Sequence, residues 1–217
     1  MSTTRVLPRV DAWVTFTWTV RATWHELMAV IGVSVAWALA GIPLVVALAS
    51  GEAWLAAGAA LPLSIATTAL VGTLAGVATG GAVRRPGSDR WDPTLGALAW
   101  AWALVVAGSI GVGPSGVLAG SMAGALGMLV LPLAFAYGAV RGRRGTAALR
   151  AATIIAILHP GLALTLAGVA CLAAFACVAS AGVLLVVAPA FVALMACRAI
   201  VVLLVDEDAS AGQPRAS

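Results

Sequence analysis

The clearest shortage in this sequence is charge. Only 9% of its 217 residues are charged, and all 12 basic residues are arginine, because the chain has no lysine. Soluble domains carry about 25% charged and about 45–50% apolar residues, whereas 62% of this chain is hydrophobic and its mean hydropathy is +1.07. This composition excludes soluble enzymes, disordered proteins and nucleic-acid-binding modules, and it indicates a membrane protein.

Motifs that carry chemistry are also scarce. The sequence contains no Walker phosphate loop, no H-E-x-x-H and no C-x-x-C. Its three cysteines, Cys171, Cys177 and Cys197, all lie inside apolar runs, which favours buried small side chains over metal ligands or disulfides. We therefore predict no catalytic residue, no cofactor and no metal site, and we expect that the protein is not an enzyme.

Long apolar runs dominate what is present. A helix that crosses a bilayer needs about 20 mostly apolar residues. Six such runs occur, at residues 27–50, 54–83, 94–112, 115–140, 151–177 and 180–205. Because open strands leave backbone polar groups unsatisfied in lipid, we predict an all-α polytopic membrane protein. Its six transmembrane helices form one domain over residues 26–205.

The arginines predict the orientation of these helices. Arginines occur in the amino-terminal tail and in the loops at 84–93 and 141–150, whereas the connections near Gly51, Gly113 and Ala179 have none. Because short basic segments stay on the cytoplasmic side, both the amino and the carboxyl termini are predicted to be cytoplasmic. The protein itself is predicted to lie in the plasma membrane. The lipid bilayer is therefore the partner that the basic loops indicate, with no nucleic acid required.

The two terminal segments receive separate predictions. Residues 1–25 form a cytoplasmic tail and an interfacial helix in our interpretation, although the alternation from Val14 to Trp24 also fits a strand. A lone strand beside a membrane has no pairing partner, and a helix gathers four apolar residues on one stripe: Trp13, Val20, Trp24 and Leu27. Residues 206–217, which are acidic and then polar, are predicted to be a disordered cytoplasmic tail.

Glycines and prolines mark the helix surfaces. Two sets of glycines recur every four residues: Gly72, Gly76 and Gly80 in the second run, and Gly116, Gly120 and Gly124 in the fourth. This spacing lets another helix approach closely, either within the chain, which we favour, or in a dimer. Five prolines interrupt the apolar runs: Pro43, Pro62, Pro132, Pro160 and Pro189. Each predicts a kink or an unwound turn in its helix.

Three ionisable residues are predicted at membrane depth, where such groups are functional candidates: Glu26, His159 and Arg198. Glu26 and Arg198 both lie toward the cytoplasmic side, so they either form an ion pair or, as we slightly favour, Arg198 extends to the headgroups alone. His159 precedes Pro160 and either transfers protons or, as we favour, stays neutral and bonded to a freed backbone carbonyl.

One segment suggests catalysis. Gly113-Pro114-Ser115-Gly116 is similar to the G-x-S-G serine segment of rhomboid intramembrane proteases, which also have six core helices. A nucleophilic serine needs a base within hydrogen-bond reach, yet His159 enters from the opposite membrane face, over about 10 Å away. The last span, where a rhomboid carries its histidine, has none. We therefore predict a turn and a helix start, with the protease as the weakest alternative.

Two further segments carry a family resemblance. Residues 34–45 read S-V-A-W-A-L-A-G-I-P-L-V, and residues 62–69 read P-L-S-I-A-T-T-A. They resemble the "N-L-L-W-x-L-x-x-L-P-V-V" and "G-P-A-x-x-A" stretches of the YesL-like family of prokaryotic integral membrane proteins, with serine in place of asparagine at Ser34. Tyr137 and the His159-Pro160 pair are similar to the family's entry into its fifth span.

The resemblance implies a function but no catalytic residues. Members of the family often accompany carbohydrate uptake transporters, which implies an accessory or scaffold role in a membrane complex. The expected partner is then a transporter permease or another copy of the chain. The alternative from a different class is a small proton-coupled transporter or channel that uses the proline-broken helices and His159.

Overall fold

The computed structural model describes residues 11–50, 53–81, 92–110, 113–180 and 182–211. These ranges contain eight α-helices, one short 3-10 helix and no strand, which confirms the all-α prediction. The α-helices are α1 (Ala12–His25), α2 (Leu27–Ala49), α3 (Ala53–Ala78), α4 (Pro93–Ile110), α5 (Pro114–Arg141), α6 (Thr146–Leu158), α7 (Pro160–Ala179) and α8 (Ala188–Ala211), and the 3-10 helix is Val183–Val186.

Five helices among the described residues are long and apolar enough to cross a membrane. Their candidate spans are Leu27–Ala47, Gly58–Ala78, Pro114–Arg141, Pro160–Cys177 and Ala188–Val205. Two further apolar segments are shorter, Pro93–Val106 in α4 and Thr146–Leu158, which is α6. By length and composition of its helices, the chain is a multi-pass membrane protein, and a sixth span stays a prediction.

The centre of the bundle is formed by α3 and α8. Half of each candidate span in these two helices is buried, against 11% of the spans in α2 and α7. Fully buried side chains at the centre include Leu74, Leu133, Leu194 and Ile200. The outer helices instead expose large apolar side chains such as Val45 and Phe175. Such an apolar surface is what a helix facing lipid requires.

A glycine turn ends α3 earlier than the sequence predicted. The helix stops at Ala78 rather than near residue 83, and Gly80 adopts a φ of +82°. Its N–H donates to the Val77 carbonyl and the Gly81 N–H donates to the Gly76 carbonyl, both at 3.0 Å. This Schellman motif satisfies the last carbonyls of the helix and needs a residue with positive φ. Gly80 therefore ends the helix and does not extend the predicted glycine ridge.

The fifth apolar run is two helices instead of one. The predicted span at 151–177 is divided between α6 and α7, and His159 lies at the break with φ −126° and ψ 62°. Pro160 has no N–H to donate back into α6, so the first helix ends before it. Three other prolines, Pro43, Pro62 and Pro132, stay inside the continuous helices α2, α3 and α5.

The last apolar run begins later and extends further than predicted. A turn at Gly182, where φ is +86°, and the 3-10 helix precede α8, which begins at Ala188 instead of residue 180. The helix then continues to Ala211, although a disordered tail was expected from residue 206. The unfavourable step in helix formation is the first turn. Once α8 has formed, a few polar residues can be added to its end at little cost. Residues 1–10 and 212–217 lie outside the described part of the chain.

Candidate functional site

The first helix buries three of its threonines and exposes two tryptophans. Segment 12–25 is helical, so the helix interpretation is confirmed over the strand alternative. Its buried residues are Thr15, Thr19 and Thr23. The indoles of Trp13 and Trp24 are 71% and 75% exposed. A surface helix of a soluble protein has the opposite arrangement, so this face suits the apolar and headgroup environment of a membrane.

Arg198 connects three helices. Its guanidinium carbon lies 4.7 Å from the centre of the Trp18 ring in α1, and its Nη1 donates to the Ala78 carbonyl of α3 at 3.4 Å. Ala78 ends α3, where carbonyls lack partners within the helix. A cation over an indole and a bond to an unpaired carbonyl both compensate a desolvated charge. None of the described contacts of Arg198 involves Glu26, so the structure does not bring the predicted pair together.

His159 lies apart from the other two ionisable candidates. Its backbone N–H donates to the Ile155 carbonyl at 2.8 Å, and its carbonyl accepts from the N–H of Leu162. The half-buried imidazole lines a cleft between α5, α6 and α8 that does not include Arg198. Among the described contacts the imidazole has no bond to a backbone carbonyl. A role of His159 in proton transfer therefore stays a prediction.

Ser115 and His159 lie toward opposite ends of α5. Ser115 is exposed in the first turn of this helix, whereas the cleft with His159 is lined by Tyr137 and Arg141 from the last turns. At helical rise, Ser115 and Tyr137 are about 33 Å apart along the axis. The structure therefore does not bring His159 beside Ser115, as a serine–histidine dyad would need.

The cleft around His159, which we name the basic cleft, is lined by Tyr137, Arg141 and Arg143 as well as by apolar side chains. It has a volume of about 340 Å³, and an adjoining pocket of about 510 Å³ shares Tyr137 and Arg143 and adds Arg150. From the sequence, these arginines were predicted to set the membrane orientation and to attract lipid headgroups, but not to line a cleft. The signal that was missed is the apolar stripe of α6, which places Ile154 and Leu158 beside them.

Asp92 fixes the turn that carries the cleft arginines. This buried carboxylate accepts from the Leu95 N–H through Oδ1 at 2.9 Å and from the Gly145 N–H through Oδ2 at 2.6 Å. It therefore caps α4 and holds residues 142–145 against it. Asp92 was not among the residues predicted to be functional, although Asp followed by Pro before an apolar run is a helix-start signal. No local sequence pattern predicts its bond to Gly145.

A larger opening, which we name the apolar cavity, lies among α2, α3, α5, α7 and α8. Its volume is about 570 Å³, and its lining contains no charged side chain and does not include His159. Its walls include Trp37, Thr67, Pro132, Phe135, Cys177 and Pro189. The indole N–H of Trp37 donates to Thr67 Oγ1 at 2.9 Å, which satisfies the indole in apolar surroundings.

The glycine ridge of α5 packs against α4 in the same chain. A Cβ atom on Gly124 would lie 3.8 Å from Val106 Cγ1, and one on Gly127 would lie 2.6 Å from Trp102 Nε1. Two further members of the ridge, Gly116 and Gly120, are buried, as are Gly72 and Gly76 of α3. Contact within the chain therefore accounts for Gly124, and Gly127 is a contact residue that the four-residue spacing does not include.

The thiols and acidic groups do not form a metal site in the described ranges. Cys171, Cys177 and Cys197 are free thiols, and no group of three or more His, Cys, Asp or Glu side chains comes together there.

No family model, no curated protein and no solved structure matches this chain. The resemblance to the YesL-like family therefore stays a prediction.

Proposed function

We propose that this chain is a non-enzymatic, multi-pass protein of the plasma membrane that serves as an accessory or scaffold component of a membrane complex. The observation that supports this proposal most strongly is that Arg198, a charged group inside the helix bundle, contacts other helices and does not line the apolar cavity. Arg198 holds α1 and α3 against α8, while the apolar cavity is lined without charge. Enzymes and ion-coupled transporters direct ionisable groups toward a substrate path, whereas the ionisable groups of the basic cleft line a separate opening.

The proposal includes six membrane passages. The 18 residues of α4 extend about 27 Å, close to the thickness of a bilayer core of about 30 Å. We count α4 as a passage and α6 with α7 as a single interrupted one, with both termini cytoplasmic and α1 at the interface. In a cysteine-free background, Ser115→Cys should react with an impermeant maleimide in intact cells, and Arg143→Cys only after lysis. Equal labelling of both would contradict this orientation.

The proposed partner is a transporter permease, which the YesL-like resemblance suggests and links to carbohydrate uptake. The test is a mild-detergent pull-down of the tagged chain from its native membrane, followed by mass spectrometry, with an unrelated tagged membrane protein as the control. Permease subunits in stoichiometric amounts only with this chain would support the proposal. Recovery of the chain alone, as a homo-oligomer, would count against an accessory role.

The second candidate is a small transporter or channel, which the apolar cavity favours. This cavity adjoins Leu185 and Pro189, where a turn and a 3-10 helix interrupt the last apolar run, and interrupted helices can line a transport path. We expect purified protein in liposomes to be inert. Proton-coupled flux that disappears in His159→Ala would instead support a transporter driven by the histidine. Flux that disappears in Ala173→Leu, which narrows the cavity, but persists in His159→Ala would assign an apolar substrate.

A further inference from the structure

The basic cleft combines two kinds of surface. One side presents polar groups from the end of α5 and the following turns, and these include Tyr137, Arg141 and Arg143. The other side is an apolar wall built by α6 and α8, with Ile154, Ile155, Leu158, Ile200, Leu203 and Leu204. A cationic rim beside an apolar wall fits a ligand that is anionic at one end and apolar at the other.

The cleft carries positive charge without carboxylates in its described lining. Neither the cleft nor the adjoining pocket has an Asp or Glu among its lining residues. The described contacts give Arg143 and Arg150 no ion-pair partner. Asp92, the carboxylate beside the same turn, already accepts the N–H groups of Leu95 and Gly145. Guanidinium groups in this setting attract a phosphate, which they can bind through two parallel hydrogen bonds.

The backbone positions these arginines before any ligand arrives. A Cβ atom on Gly138 would lie 3.0 Å from the Arg143 carbonyl oxygen, so a larger residue there would push the turn slightly away from α5. Gly145 closes the same turn with a φ of +55° and is held by Asp92. Because the turn is fixed at both sides, Arg143 stays beside Tyr137, and little ordering is required on binding.

The apolar wall points to a lipid instead of free phosphate. Ile154, Ile157 and Leu158 of α6 are 47%, 72% and 52% exposed, so the wall continues outward as an apolar surface. An acyl chain can leave the cleft along α6 without entering water. Inorganic phosphate would make no use of this wall. Basic pockets between membrane helices commonly hold the headgroups of anionic lipids.

We propose that the basic cleft is a binding site for one anionic phospholipid, with its phosphate on Arg143, Arg150 and Tyr137 and an acyl chain against the apolar wall. This inference does not depend on the accessory role or on the identity of a partner. It assigns to the 141–150 segment a specific ligand in addition to its expected attraction to the membrane surface.

The test is a lipid titration of the delipidated full chain in detergent, followed by native mass spectrometry. Phosphatidylglycerol should bind in a one-to-one complex and phosphatidylcholine much more weakly. Arg143→Gln should weaken phosphatidylglycerol binding about fivefold, and Arg143→Gln with Arg150→Gln about twentyfold. Lysine at both positions should retain only part of the binding, because it keeps the charge but cannot form the two parallel hydrogen bonds. Arg21→Gln, which removes an exposed arginine of α1 outside the cleft, is the matched control and should bind as the unaltered chain does.

A second set of measurements separates the lipid from its phosphate. Ile154→Asn changes the partly exposed wall and should weaken lipid binding severalfold while the headgroup preference is kept. Displacement of the lipid by millimolar inorganic phosphate, or equal binding of a short-chain phosphatidylglycerol, would show an anion site and overturn the proposal. An equal loss in Arg21→Gln would also overturn it, because surface charge would then account for binding. Thermal unfolding should show that every variant is folded.

Discussion

The basic cleft and the apolar cavity share two walls but differ in chemistry. Helices α5 and α8 line both openings. In the cavity they contribute side chains such as Pro132, Phe135 and Pro189, whereas the cleft meets Tyr137 and Arg141 near the end of α5. The same helices therefore provide an uncharged interior and a charged end. Along each helix axis the lining changes from apolar to charged residues. This matches a bilayer, whose centre is less polar than its surface.

The two regions are also held together differently. The basic end depends on long-range polar contacts, in which Asp92 binds Gly145 and Arg198 binds Ala78. In the apolar part of the bundle, helices approach closely at glycines, as at Gly127 against Trp102. Water and backbone groups are available to pair with charge only near the ends of membrane helices. The contrast predicts that polar substitutions act strongly at the basic end and steric substitutions act strongly elsewhere.

The largest effect is expected for Asp92→Ala. The change removes the cap of α4 and the acceptor for the Gly145 N–H, so we expect a loss of about 2–4 kcal/mol in unfolding free energy. Tryptophan fluorescence during unfolding in mixed micelles measures it. Phosphatidylglycerol binding should fall as well, because the turn with Arg143 is released.

Asp11→Ala is the matched control for this variant. Asp11 also caps a helix, α1, but it is exposed and bonds only its own helix. We expect a loss under about 1 kcal/mol and unchanged lipid binding. Equal losses in the two variants would show that the bond to Gly145 contributes nothing.

The next effect is steric and concerns Gly127→Ala. The new Cβ would lie 2.6 Å from Trp102 Nε1, and that nitrogen donates to the Ala123 carbonyl at 3.0 Å. Moving the indole should lower the unfolding free energy by about 1–3 kcal/mol. Gly32→Ala is the control, because its Cβ would meet nothing within 4 Å, and we expect a gain of about 0.5–1 kcal/mol there. A gain at both positions would refute close packing of α4 on α5.

Arg198→Met tests which partner stabilises the arginine. Removing the guanidinium from Trp18 and Ala78 should lower the unfolding free energy by about 1–2 kcal/mol, while methionine keeps the apolar stem. Glu26→Gln should change it little. If the ion-pair hypothesis holds instead, Glu26→Gln will cost as much as Arg198→Met, and reversing both charges will restore stability.

Long uniform features could be predicted from the sequence. The first run at 27–50 matches α2 at Leu27–Ala49, and the fourth at 115–140 matches α5 at Pro114–Arg141. Apolar length decides such elements, because lipid leaves a helix no alternative. Local backbone signals were present but too weak to place the breaks at Gly80 and His159, since glycine and proline also occur inside membrane helices.

The candidate site was harder to predict because its contacts join distant parts of the chain. Asp92 binds Gly145, and Arg198 contacts Trp18. Neither pairing leaves a periodic signal in the sequence. The arginines of the cleft were visible in the sequence, but membrane orientation and a general attraction to lipid headgroups explained them. Only the packing of α6 beside α5 and α8 shows that they border an apolar wall.

The smallest effect is expected inside the apolar cavity, at the bond between Trp37 and Thr67. The Thr67 hydroxyl accepts from the indole and donates to the Leu63 carbonyl at 2.8 Å. Hydrogen bonds within membrane domains contribute about 0.6 kcal/mol on average, so Thr67→Val and Trp37→Phe should be coupled by about that amount in a double-mutant cycle. A coupling above about 2 kcal/mol would mean that polar contacts hold the interior as firmly as the basic end, and the contrast between the two regions would then be lost.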